Sequence, residues 1–129
     1  MSLASVAHIL VVDDEINIAT TLGLILQTLG YSVDVAHGGE QALELAARQP
    51  PDMLISDIVM PGIDGFELAI RLKTQLHNCG ILLISGQPAA AERIALAKLS
   101  GYEFEVLAKP VHPSEIIARV LDCLGKPTM

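Results

Sequence analysis

Five polar side chains stand where short apolar runs end. Asp13 and Asp14 follow His8-Ile-Leu-Val-Val12, and Asp57 follows Asp52-Met-Leu-Ile-Ser56. Ser85 closes a run that begins at Ile81, and Lys109 closes Glu105-Val-Leu-Ala108. If these runs are neighbouring parallel strands, three carboxylates, a hydroxyl and an ammonium converge at one sheet edge, the edge where open α/β sheets bind ligands. Three carboxylates at close range repel and need compensation. A hard divalent cation with a preference for oxygen, Mg²⁺ (or Mn²⁺), is one compensator, and Lys109 is the other. An acidic pocket with a metal, a lysine and a hydroxyl suits a phosphoryl group, whose oxygens the cations neutralise and the hydroxyl hydrogen-bonds. One carboxylate can then attack phosphorus and become an acyl phosphate. Asp57 is the best nucleophile: it stands alone at its strand end, before the tight loop Met60-Pro-Gly-Ile-Asp-Gly65. Asp14 is the best direct metal ligand, and Asp13 holds a metal-bound water or shares ligation.

The elements that must position these groups alternate five times. Strands are expected at 7–12, 32–36, 52–57, 80–85 and 104–108, and helices at 15–29, 38–48, 64–77, 89–100 and 113–124. Several strands are almost wholly apolar, as strands covered on both faces are. The intervening segments have helical period, as in Leu43, Ala46, Ala47 and in Ile117, Val120, Leu121. Gly30 and Gly101 mark the ends of the first and fourth helices. Pro88 and Pro113 suit the first turns of the fourth and fifth, where Ser114 and Glu115 also favour the last helix. Asp64 and Gly65 serve the turn and cap the third helix. This is a doubly wound α/β domain with right-handed crossovers. The commonest strand order, 2-1-3-4-5, sets strands 1 and 3 beside the switch point and faces Asp13 and Asp14 toward Asp57. As a bare structural alternative, Asp13-Asp14 only caps the first helix.

The chain has 129 residues, 51% hydrophobic and only 3% aromatic, so Val, Ile, Leu, Ala and Met must build one core. Residues 1–6 read as a disordered or vector-derived leader, 7–124 as the domain, and 125–129 as a tail or truncated linker. A net charge of −7 argues against direct nucleic-acid contact by this domain. No apolar stretch nears the roughly 20 residues of a membrane span, and the first residues lack a signal-peptide pattern. Cys79 and Cys123 form no CxxC motif and read as free thiols of a cytoplasmic protein. His8, His37, His77 and His112 have no metal-ligand spacing and read as structural or surface residues.

Four segments together carry a resemblance: Val11-Val-Asp-Asp-Glu15, Pro51-Asp-Met-Leu-Ile-Ser-Asp-Ile-Val-Met-Pro-Gly-Ile-Asp-Gly-Phe-Glu67, Ile84-Ser85-Gly86 and Ala108-Lys-Pro110. In order, each after an expected strand, they resemble the receiver domain of two-component response regulators, over essentially the whole chain. The resemblance implies a flavodoxin-like (βα)₅ fold with Asp57 as phospho-acceptor and Asp13 with Asp14 as the acidic pair. It implies Ser85 as switch hydroxyl, Lys109 as phosphate-binding lysine, a cis bond before Pro110, and the Val59 carbonyl in the Mg²⁺ shell. It also implies a sensor histidine kinase or phosphotransfer protein as donor, and an output domain or effector as target. In this family an aromatic three residues before the lysine turns inward on phosphorylation and remodels the surface of the fourth helix, fifth strand and fifth helix. That position is Val106 here. Phe104 and Tyr102 are the nearest aromatics, and a β-bulge is the device that would bring Phe104 into the role. Val111 likewise replaces the aromatic often found after Lys-Pro. Two rival readings are a vestigial, non-phosphorylated interaction module and an aspartyl-nucleophile phosphohydrolase. The latter usually has a second catalytic Asp two residues after the nucleophile, where this chain has Val59.

Overall fold

The computed structural model describes residues 6–86, 94–95 and 98–127. The order is β1 His8–Val12, α1 Ile16–Thr28, β2 Ser32–Ala36, α2 Gly39–Arg48, β3 Met53–Asp57, α3 Gly65–Gln75, β4 Gly80–Ser85, β5 Glu105–Ala108 and α4 Pro113–Leu124. All strands are parallel, in the order β2-β1-β3-β4-β5. Most of the helix expected at 89–100, with Pro88, lies outside the described residues; 94–95 and 98–99 are helical.

The apolar runs are strands because both sheet faces are covered. β1 and β3 are buried along their full length. Period-two alternation sends Leu10, Val12, Leu54 and Leu83 to one face, against Ala42 and Ala46 of α2 and Phe66, Leu68 and Leu72 of α3. Ile9, Val11, Ile55 and Leu82 face the other way, against Leu22 and Leu26 of α1 and Ile116 and Val120 of α4. Burying each such side chain contributes about 1.5–3 kcal/mol against the unfolded chain.

The helix ends follow from named residues. Gly30 follows α1 with φ 109°, a conformation that glycine adopts without the cost of a Cβ. The Asp64 carboxylate accepts the Glu67 amide at 2.9 Å and caps α3. The cap of α4 is His112, whose Nδ1 accepts the Ser114 amide at 3.1 Å, while Glu115 accepts the His112 amide at 3.0 Å. The Tyr31 hydroxyl donates to the Gly125 carbonyl at 2.8 Å and ties the end of α4 to the α1–β2 turn. His8 is buried against Ser32 and Asp34, a structural tie between β1 and β2 far from the carboxylates.

The β-bulge that would bring Phe104 into the role of the missing aromatic is not formed. Leu82, Leu83, Ile84 and Ser85 pair in unbroken register with Glu105, Val106, Leu107 and Ala108. Four consecutive pairs leave no extra residue to bulge. Phe104 therefore stays two residues before Val106, about 6.6 Å farther from the strand's C-terminal end.

Candidate functional site

The C-terminal ends of β1 and β3 lie side by side, with Val12 paired to Ser56. Asp13 and Asp57, one residue beyond each, therefore meet across the crevice. A carboxylate oxygen from each of Asp13, Asp14 and Asp57 lies within 4.8 Å of the others. Asp13 and Asp57 are buried and Asp14 is exposed. Asp57 pairs with Ile84, so Ser85 ends β4 one residue beyond it. The Lys109 amide donates to the Ser85 carbonyl at 2.8 Å. Its ammonium reaches back to Asp57 Oδ2 at 3.4 Å. The Lys109–Pro110 bond is cis. All five polar residues read from the sequence stand at this edge.

The backbone completes the arrangement. The Ile58 amide donates to Asp57 Oδ1 at 3.1 Å. The Glu15 amide donates to Asp13 Oδ1 at 2.9 Å. The first position before α1 is Glu15, which makes no side-chain cap, so Asp13 bonds the approach to the helix rather than being its N-cap.

Burial pushes the Asp57 carboxyl above its ordinary range; Lys109 opposes that shift and Asp13 adds to it. Burial likewise raises Asp13, against the Glu15 amide and Lys109. Two desolvated carboxylates thus share one nearby ammonium, and the third is Asp14. A donor set made only of oxygens, with more negative charge than one lysine offsets, fits a hard divalent cation. The three aspartates are the residues that would hold it.

Two glycines and one cavity escaped sequence reasoning. A Cβ on Gly65 would overlap the Asp57 carbonyl oxygen and come within 2.9 Å of Ile58 Cα. A Cβ on Gly86 would meet Lys109 Cδ at 3.0 Å, so its absence leaves room for the lysine stem. Beside the carboxylates lies a cavity of about 690 Å³ between α1 and α4, walled by residues such as Ile18, Leu22, Val111 and Ile116. The Gly86 contact and the cavity have no local signal because they join segments distant in sequence, and Gly65 reads from the sequence only as a turn residue. Val59, two residues past Asp57, is 44% exposed.

Residues 9–121 match the family described as response regulator receiver domain. The response regulator MprA of Mycobacterium leprae is 36% identical over 113 residues, which are 88% of this chain and 49% of that protein. The chain spans about half the length of the curated relatives it matches. Among solved structures, the chemotaxis protein CheY4 of Vibrio cholerae has a TM-score of 0.79 at 32% identity, covering 93% of this chain and all of that one. The response regulator protein TrrA of Thermotoga maritima, solved in complex with Mg²⁺ and BeF, has a TM-score of 0.77 at 33% identity, over 92% of this chain and 99% of that one.

Proposed function

This chain belongs to the response regulator receiver domains, and from that membership we propose that it is a phosphorylation-activated switch with Asp57 as acceptor. The observation that supports the reading most is the meeting of three aspartate oxygens within 4.8 Å, with Lys109 3.4 Å from Asp57. The donor is a phosphohistidine on a sensor histidine kinase or phosphotransfer protein. An Asp57 oxygen attacks phosphorus and forms the anhydride bond. The phosphorus–nitrogen bond breaks, and its electron pair returns to the imidazole, which ends neutral after proton exchange with solvent.

Asp13, Asp14, Asp57 and the Val59 carbonyl are the ligands for Mg²⁺ (or Mn²⁺). When bound, the ion supplies positive charge opposite the phosphoryl oxygens. Lys109 holds the transferred group by its ammonium, and Ser85 donates its hydroxyl to it. The domain assists its own phosphorylation and dephosphorylation and is not a metabolic enzyme. Residues 7–124 are the working unit, in the cytoplasm, and the target is an attached output domain or an effector protein. With a net charge of −7 the domain itself makes no direct contact with nucleic acid. No helix among the described residues is long and apolar enough to cross a membrane.

Val106 in place of an aromatic favours one other reading, a pocket retained without phosphorylation. Intact mass after incubation with acetyl phosphate separates the two. A Mg²⁺-dependent gain of about 80 Da, one phosphoryl group, is expected for the native chain and not for Asp57→Asn. A folded, Mg²⁺-binding native chain that gains no mass supports the second reading instead.

A further inference from the structure

Position 106 has no ring to move, yet three of the chain's four aromatics are grouped. Phe66 is buried in the first turn of α3. Its ring centroid lies 6.4 Å from that of Phe104, and Phe104 lies 5.7 Å from Tyr102. Both contacts are tilted, at distances where aromatic rings attract beyond simple burial. The run ends at Tyr102, half-buried on the wall of a cavity of about 650 Å³ that Lys73 and Lys98 also line.

The inner end of this run is fastened to the acceptor. Gly65, the residue before Phe66, sits against the Asp57 carbonyl with no room for a Cβ. Its amide donates to the Ile58 carbonyl at 2.8 Å. The Ile58 amide in turn is shared between the Ile84 carbonyl at 3.0 Å and Asp57 Oδ1 at 3.1 Å. Converting that carboxylate to an acyl phosphate changes the charge and geometry of one of the two oxygens that hold the Ile58 amide, and so the balance between them. The first turn of α3, bonded to the carbonyl of the same residue, cannot stay indifferent to that change. Close packing passes such shifts on instead of absorbing them.

Building on the receiver reading, we propose that the phosphorylation state of Asp57 is reported through Gly65 and Phe66 to Phe104 and Tyr102. The readout thus runs by way of α3 and emerges at the Tyr102 cavity, not at position 106. Phe66 and Phe104 act as positioning residues: neither touches the phosphoryl group, and both set where the Tyr102 ring rests.

The chain has two tyrosines and no tryptophan, which makes ¹⁹F NMR of 3-fluorotyrosine protein a direct test. Tyr31 packs in the cluster on the opposite face of the sheet and serves as internal reference. Tyr31→Phe assigns the two resonances. On Mg²⁺ and acetyl phosphate, with the gain of about 80 Da confirmed by mass, the Tyr102 resonance is expected to shift and that of Tyr31 to stay. Phe66→Leu and the half-buried Phe104→Leu are expected to keep the mass gain and lose the Tyr102 shift. Val106→Ala is expected to keep both. A phosphorylated chain with an unmoved Tyr102 resonance overturns the proposal and leaves the receiver reading standing. So does a Tyr102 shift that survives in folded Phe66→Leu and Phe104→Leu, or one that vanishes in Val106→Ala. Absence of any mass gain overturns the receiver reading and the relay with it.

Discussion

Val59 stands two residues past Asp57 with a side chain that neither donates nor accepts a proton. Hydrolysis of the acyl phosphate needs a water brought in line with phosphorus, and general acid–base help of that kind is worth about 10²–10⁴ in rate where a side chain supplies it. Valine supplies none, so the acyl phosphate is expected to outlast minutes once acetyl phosphate is removed, as followed by the decay of the added mass. Val59→Asn places a carboxamide there that hydrogen-bonds and orients the attacking water without taking its proton, and should shorten that lifetime by roughly tenfold. Loss of the group from the native chain within seconds, without a phosphatase, would refute the argument. At the far end of the sheet, burial pushes the Cys79 thiol from 9.0 up to about 11, and burial raises Cys123 as well. The fold favours the neutral thiol, so this contribution to stability is whole below pH 9 and is lost as pH rises through about 11. Urea midpoints should therefore fall across that window, and at pH 8 buried Cys79 should react with a thiol reagent far more slowly in the folded chain than in the urea-unfolded chain, while exposed Cys123 reacts in both. A Cys79 that is labelled equally fast in both states would contradict this. The acidic residues, Ser85 and Lys109 were legible in the sequence because each directly follows or closes an apolar run. The close approach of Gly65 to Asp57 and of Gly86 to Lys109 was not, since glycine in a loop reads first as a turn.

At the level of elements, the βα alternation was written in the apolar runs, and their covered faces explain why. β1 and β3 are wholly buried, so their lack of alternation was itself the signal for a parallel sheet. The β5 region was open in the sequence because Phe104 and Tyr102 lie off position 106, and the regular pairing of Glu105–Ala108 with β4 removes the bulge that would have moved Phe104. The cap of α4 was hidden for another reason. An imidazole caps only in one rotamer and with an unprotonated Nδ1, so His112 has no general capping signature, unlike Asp64, which was read as a cap from its type. The start of α3 carries the element-scale prediction. Gly65→Ala adds a methyl where the Asp57 carbonyl and Ile58 Cα already stand, and both are backbone. Neither can rotate away, so α3 or β3 must shift, at a cost of about 1–3 kcal/mol for overpacking. Denaturant unfolding should show that loss, and phosphorylation by acetyl phosphate should slow as the Asp57 carboxylate is displaced. Gly38→Ala is the control, because a Cβ there meets nothing within 4 Å. Equal, small effects from the two substitutions would remove the steric argument.

For the molecule as a whole, the sheet edge sets a tension between folding and function. The fold brings Asp13 and Asp57 into a site where burial raises both pKa values and the Asp13 charge raises Asp57 further. A carboxyl raised in the folded state contributes stability that is whole below its unfolded value, here 3.8, and is lost as pH rises through the folded value. At neutral pH the metal-free site therefore opposes folding, and the rest of the core must hold it together. A divalent cation that binds only the folded edge reverses this. Its stabilisation is RT ln(1 + [L]/Kd), about 2.7 kcal/mol at a hundredfold excess over Kd. Mg²⁺ at neutral pH should therefore raise the unfolding midpoint, and the gain should fade toward pH 3.8, where the carboxyls are protonated. Sodium chloride at matched ionic strength should not reproduce it, since the ligands are specific oxygens and not a diffuse field. Asp13→Asn and Asp14→Asn should each weaken the Mg²⁺ effect, and Asp13→Asn should also raise the metal-free midpoint by removing a buried like charge from beside Asp57. A Mg²⁺ gain that persists undiminished in both variants would place the cation elsewhere on this acidic chain and separate the metal from the acceptor site.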